Sequence, residues 1–118
     1  MYCFHILDQN LLMLELKNEP KKLHSPDYGI FRQNSSDINN KPSWVNGEQA
    51  IWFSKTQKWM IGDKSNLGTN GCSIESTIAD MQSPALVGTN WKYYDDQWIE
   101  AKAGDISVIN VKGKHANT

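Results

Sequence analysis

Few side chains in this sequence are placed to do chemistry. Asp95 and Asp96 are its only adjacent carboxylates. Such a pair can hold Ca²⁺ through oxygen ligands or divide into an acid and a base. Between Tyr94 and Gln97, however, Asp-Asp-Gln is also what a hairpin turn takes, and we read it as a turn. His5, His24 and His115 are scattered, and neither Cys3 nor Cys72 belongs to a CxxC, so no metal site is expected. Asp63-Lys64-Ser65-Asn66 offers too few ligands to change that. A serine or cysteine nucleophile needs a base within hydrogen-bond reach, and no GxSxG elbow marks one. Gly62, Gly68 and Gly71 match neither GxGxxG nor a P-loop, so phosphate cradling is unsupported and no cofactor is expected. No catalytic residue is assigned.

The chemistry left is recognition. Sugars lay apolar faces on Trp or Tyr rings while their hydroxyls bond to Asn, Asp and Gln. Trp44, Tyr93, Tyr94, Asp95 and Gln97 are the candidate ligand-binding residues on that reasoning. Side chains alternate along a strand, so Tyr93 and Tyr94 point to opposite faces and at most one joins the core. An open sheet edge offers a second route, to a protein partner. The expected function is a non-enzymatic structural or interaction module that binds protein or glycan within a larger assembly. The alternative is a small hydrolase whose site is assembled from distant Asp, His and Ser residues, with His24 or His5 meeting a carboxylate in a deep pocket.

The elements that would carry these residues are short strands. Tyr2–Leu7 and Leu11–Leu16 flank Asp8-Gln9-Asn10 as a hairpin would, although Leu7, Leu11 and Leu14 also fit a helix. Tyr28-Gly29-Ile30-Phe31 reads as a strand before a polar loop. Ser43-Trp44-Val45, the turn-prone pair Asn46-Gly47, Ala50–Phe53, the turn Ser54–Gln57 and Lys58–Ile61 make a three-stranded meander. Cys72–Ile78 holds one strand among loops, Trp91–Tyr94 and Trp98-Ile99 make a second hairpin, and Ile106–Val111 alternates as a final strand. Trp52 and Trp59 are seven residues apart, as are Trp91 and Trp98, which suggests two hairpins each carrying a cross-strand or diagonal indole contact.

Composition agrees with a small β domain. The chain has 118 residues, of which 39% are hydrophobic and 21% charged, and chains of about 100–150 residues usually form one domain. Five Trp lie between positions 44 and 98, and each ring can bury roughly 150–250 Å² of a core that is otherwise thin. Twelve basic against thirteen acidic residues leave a net charge of −1. That balance argues against nucleic acid as a partner, and no apolar run is long enough to imply membrane insertion. Residues 1–22 do not read as a signal peptide, and Asn34-Ser35-Ser36 is a glycosylation sequon only if the chain is secreted. Cys3 and Cys72 either pair, adding about 4 kcal/mol by loop closure, or remain buried thiols. We expect an all-β antiparallel sandwich or partly open barrel of about six to eight strands. Its parts are an N-terminal hairpin or helix (1–22), a Trp-rich module (23–111) and a flexible tail (112–118).

One pattern goes beyond composition. Tyr28-Gly29-Ile30-Phe31, Asn39-Asn40-Lys41-Pro42-Ser43-Trp44, Ile51-Trp52-Phe53, Trp59-Met60-Ile61-Gly62, Leu67-Gly68, Trp91-Lys92-Tyr93-Tyr94, Trp98 and Ile106-Ser107-Val108 follow one another in order. From Asp27 to Val108 the chain resembles a small Trp-rich module that recurs in proteins of unknown function from invertebrates and single-celled eukaryotes. The resemblance implies an all-β fold often embedded in larger proteins, and no chemistry. That module often has Cys before the proline corresponding to Pro84; Ser83 stands there, so the chain departs from the resemblance at the position that would partner Cys72 within the module.

Overall fold

A computed structural model describes residues 13–17 and 29–111. They form nine strands: β1 (Met13–Lys17), β2 (Gly29–Gln33), β3 (Trp44–Asn46), β4 (Gln49–Phe53), β5 (Trp59–Asp63), β6 (Ile74–Ser76), β7 (Trp91–Tyr94), β8 (Trp98–Glu100) and β9 (Ser107–Asn110). All pair antiparallel in one sheet of order β8-β7-β6-β5-β4-β3-β2-β1-β9. Eight strands run as a meander, and β9 returns to pair with β1. The sheet curls into a half-barrel, so the partly open barrel is the form adopted, with nine strands rather than six to eight. The described part of the N-terminal segment is strand β1. The remainder of that hairpin-or-helix segment and the tail 112–118 lie outside the described residues.

Tight turns set the register. Gln49 pairs with Asn46, so the β3–β4 turn is Gly47-Glu48 rather than Asn46-Gly47. Gly47 alone of the two has positive φ, at 61°, which suits a turn with Gly at its first central position. Asn39 and Asn40, at φ 54° and 70°, form a second two-residue turn where Ile38 and Lys41 exchange backbone hydrogen bonds. Two successive positive φ angles are what an Asn-rich type I′ turn requires.

Alternation along the strands divides the apolar residues between two faces. Phe31, Trp44, Ile51, Trp59, Ile74 and Trp91 belong to the cluster that fills the inside of the curl. Ala50, Trp52 and Met60 are buried on the other face, where Ile38, Val45, Leu67 and Cys72 pack over them. Two loops therefore lid the outside of β3–β5. The Trp52 indole N–H donates to the Thr69 carbonyl at 2.9 Å, and Asn39 Nδ2 donates to the Phe53 carbonyl at 2.7 Å. Gly62 lets one lid lie close, because a Cβ there would sit 3.1 Å from Cys72 Cα and 3.2 Å from Ser73 N.

The indole pairs do not meet as their spacing suggests. Phe53 pairs with Trp59 and Trp52 with Met60; Tyr94 pairs with Trp98. Both connecting loops contain an odd number of residues, Ser54–Lys58 and Asp95–Gln97, so residues of equal parity share a face. Trp52 and Trp59 differ in parity and lie on opposite faces, and so do Trp91 and Trp98.

Candidate recognition face on the β7–β8 hairpin

Among the described residues the outer face is lidded over β3–β5 and bare over β7–β8. Register places Lys92 beside Glu100 and Tyr94 beside Trp98 there, with Glu75 beside Lys92 on the neighbouring strand. Tyr94 and Trp98 are 50% and 42% exposed. Their ring centroids lie 5.5 Å apart, nearly perpendicular at 71°, the edge-to-face geometry aromatic quadrupoles favour. Lys92 Nζ sits 4.9 Å from the Trp98 ring centroid and 3.7 Å from Glu75 Oε1. The lysine thus holds Trp98 against the sheet from one side while a carboxylate anchors the lysine. The result is a fixed, solvent-facing pair of rings with charged neighbours, able to stack on an apolar surface and to hydrogen-bond at its margin.

The turn beyond the rings is polar. Asp95 is half-buried, Asp96 and Gln97 are exposed, and Asp96 has φ 66°, a conformation Asp tolerates better than most residues. Asp95 N–H donates to the Gln97 carbonyl at 2.8 Å. Asp95-Asp96-Gln97 is therefore the hairpin turn, as read from the sequence. Among the described residues no group of three His, Cys, Asp or Glu side chains is placed to hold a metal ion, and no helix is long and apolar enough to cross a membrane.

The five residues proposed from sequence are not brought together. Tyr94, Asp95 and Gln97 lie on or beside the bare face. Tyr93 points the other way and packs against the inner cluster. Trp44 is 1% exposed, with its ring 6.0 Å from that of Trp59, so it is a core residue rather than a contact residue on this face. Trp44 pairs with Ile51 of β4, and directly opposite residues share a face, so its ring turns inward with Ile51 into the same cluster. Trp98, Lys92 and Glu75 complete the site and were missed. The signal for Trp98 is its place four residues after Tyr94, across the three-residue turn, which pairs the two directly.

The buried hydroxyls have structural tasks. Ser76 Oγ accepts from Trp59 N–H at 3.0 Å and donates to the Ile78 carbonyl at 2.8 Å. Ser43 Oγ donates to the Ser36 carbonyl at 3.1 Å. Ser54 Oγ accepts from Thr56 N–H and Lys58 N–H, each at 3.3 Å. The histidines of the hydrolase alternative, His5 and His24, lie outside the described residues, as does Cys3. Cys72 is a free, half-buried thiol, pushed up to about 12 by burial first and by the Glu75 carboxylate second, with Lys92 opposing. Searches of protein-family models, curated proteins and solved structures found nothing that matches this chain.

Proposed function

We propose that this chain is a non-enzymatic interaction module that binds a protein or a glycan through the outer face of its β7–β8 hairpin. The observation behind this reading is the Tyr94–Trp98 pair: two large rings in edge-to-face contact, exposed although four other indoles are at most 1% exposed. Fixed rings lose little conformational freedom when a ligand covers them, which is why aromatic side chains dominate binding hot spots. Gln97, Asp96 and Glu100 supply hydrogen-bonding groups around the rings. The likeness to a module often embedded in larger proteins supports a role within a larger assembly.

The test is intrinsic Trp fluorescence during titration with a panel of glycans and a panel of peptides. A binding ligand shifts the emission of Trp98, and Trp98→Ala, whose binding is followed by isothermal titration calorimetry because the reporter indole is gone, no longer binds that ligand while keeping the wild-type circular-dichroism spectrum. Silence across both panels, or undiminished binding by Trp98→Ala, would refute the proposal.

A further inference from the structure

The backbone of β8 carries information that its side chains do not. Ala101 N–H donates to the Trp91 carbonyl at 2.9 Å and Asp95 N–H to the Gln97 carbonyl at 2.8 Å. Hydrogen-bonded pairs alternate along an antiparallel ladder. Tyr93–Ile99 is therefore the hydrogen-bonded pair between those two, and Trp98 and Glu100 turn their N–H and C=O groups away from β7. Among the described strands β8 is the last on its side of the sheet. Its three residues, Trp98-Ile99-Glu100, include no Pro; its shortness and the Glu100 charge limit how far another strand can pair along it, so any contact made there is small.

We propose that β8 is the pairing edge for a second copy of this chain, joined by a twofold axis through Ile99. Antiparallel pairing about that axis sets Trp98 opposite the partner's Glu100 and Glu100 opposite the partner's Trp98. Both belong to the outward-turned set, so each exchanges N–H···O=C bonds with its opposite number. Ile99 then meets the partner's Ile99 in the close, non-hydrogen-bonded position on the inner face, an apolar contact of the kind that stabilises sheets. No like charges fall opposite one another. The register is self-complementary, as a twofold interface must be, and it lays the two Tyr94–Trp98 pairs on one continuous outer face. Three residues a side make a small contact, so the dimer is weak and dependent on concentration. This inference does not rest on ligand binding, because mass is read without ligand.

Sedimentation equilibrium from about 10 μM to about 1 mM protein tests it, a range that spans weak association. The average mass is expected to rise from 13.4 kDa toward twice that value. Glu100→Pro removes an edge N–H that β7 does not use, a place where a sheet accepts proline, and should stay at monomer mass with an unchanged circular-dichroism spectrum. A wild-type chain that remains monomeric throughout, a Glu100→Pro variant that dimerises like wild type, or open-ended assemblies larger than a dimer each overturn the proposal. If Glu100→Pro does not fold, Ile99→Cys on a Cys3→Ser, Cys72→Ser background replaces it. Non-hydrogen-bonded partners approach to about 4.5 Å between Cα atoms, within disulfide reach. Diamide should then link the two copies, and failure to cross-link overturns the twofold register.

Discussion

Phe53 and Trp59 close the β4–β5 hairpin from the inside, their ring centroids 5.0 Å apart at 56°, and their pairing sends Trp52 to the opposite face. One loop residue is responsible. Ser54 N–H donates to the Lys58 carbonyl at 2.9 Å while its hydroxyl accepts from Lys58 N–H at 3.3 Å, which keeps Lys58 in the loop instead of the strand. A four-residue turn would have paired Trp52 with Trp59 and left the outer lid without its central indole.

Substituting Trp59 should therefore cost much more than substituting the exposed indole. Trp59→Ala empties a fully buried site and is expected to lower stability by about 3–5 kcal/mol. Trp59→Phe keeps most of the packing but leaves the Met81 carbonyl without its indole donor, and should fall between wild type and Trp59→Ala. Trp98→Ala gives up the edge-to-face contact with Tyr94 and the Lys92 cation over its ring and should cost about 1–2 kcal/mol, still well below Trp59→Ala. Urea unfolding midpoints of the three variants check this order.

Gly62 tests how closely the lid lies on β5. An added methyl meets backbone atoms of Cys72 and Ser73 within 3.2 Å, next to the hydrogen bond from Ser73 N–H to the Ile61 carbonyl at 3.0 Å. Backbone cannot rotate out of the way as a side chain can. Gly62→Ala is expected to cost about 1–3 kcal/mol, the usual range for overpacking, measured by thermal or urea unfolding.

The strands themselves were legible in the sequence. Alternation and turn residues locate β3, β4, β5, β7, β8 and β9 within a residue or two, because those signals are local. Register was less legible: whether Lys58 belongs to loop or strand depends on the Ser54 hydroxyl, and one residue of slip moves every side chain to the other face. Closure was not legible at all. Leu14 pairs with Asn110 across almost the whole chain, and no local pattern announces a contact at that separation. The candidate site divides likewise. Tyr94, Asp95 and Gln97 follow from the hairpin, whereas the exposure of Trp98 and the burial of Trp44 depend on register, which pairs Tyr94 with Trp98 on the outer face and Trp44 with Ile51 on the inner one.

Indole accessibility separates the two faces in solution. Trp44, Trp52, Trp59 and Trp91 are at most 1% exposed, against 42% for Trp98. Acrylamide should quench a single fraction of the native emission, and Trp98→Phe should abolish that fraction. Lys92→Met removes the cation lying over the ring and should raise the quenching constant of Trp98. Several quenchable indoles in the native protein would contradict the buried inner and outer clusters alike.

Cys72 makes stability depend on alkaline pH in a predictable direction. The unfolded thiol titrates near its ordinary value of 9.0, whereas the folded thiol is held up to about 12 by burial and by Glu75. As pH rises through that interval the unfolded state gives up a proton that the folded state retains, so the unfolded state is favoured. Stability contributed by the neutral thiol is complete below about pH 9 and is lost progressively as pH approaches 12. Other alkaline groups are common to wild type and Cys72→Ala, so the difference between their urea midpoints isolates this residue. That difference should be constant from pH 7 to 8.5 and should move in favour of Cys72→Ala at higher pH, at the about 1.4 kcal/mol per pH unit that one proton allows at most. A difference that stays flat to pH 11 would mean that the thiol is exposed to water and that the Cys72–Ser73 lid does not close over β5.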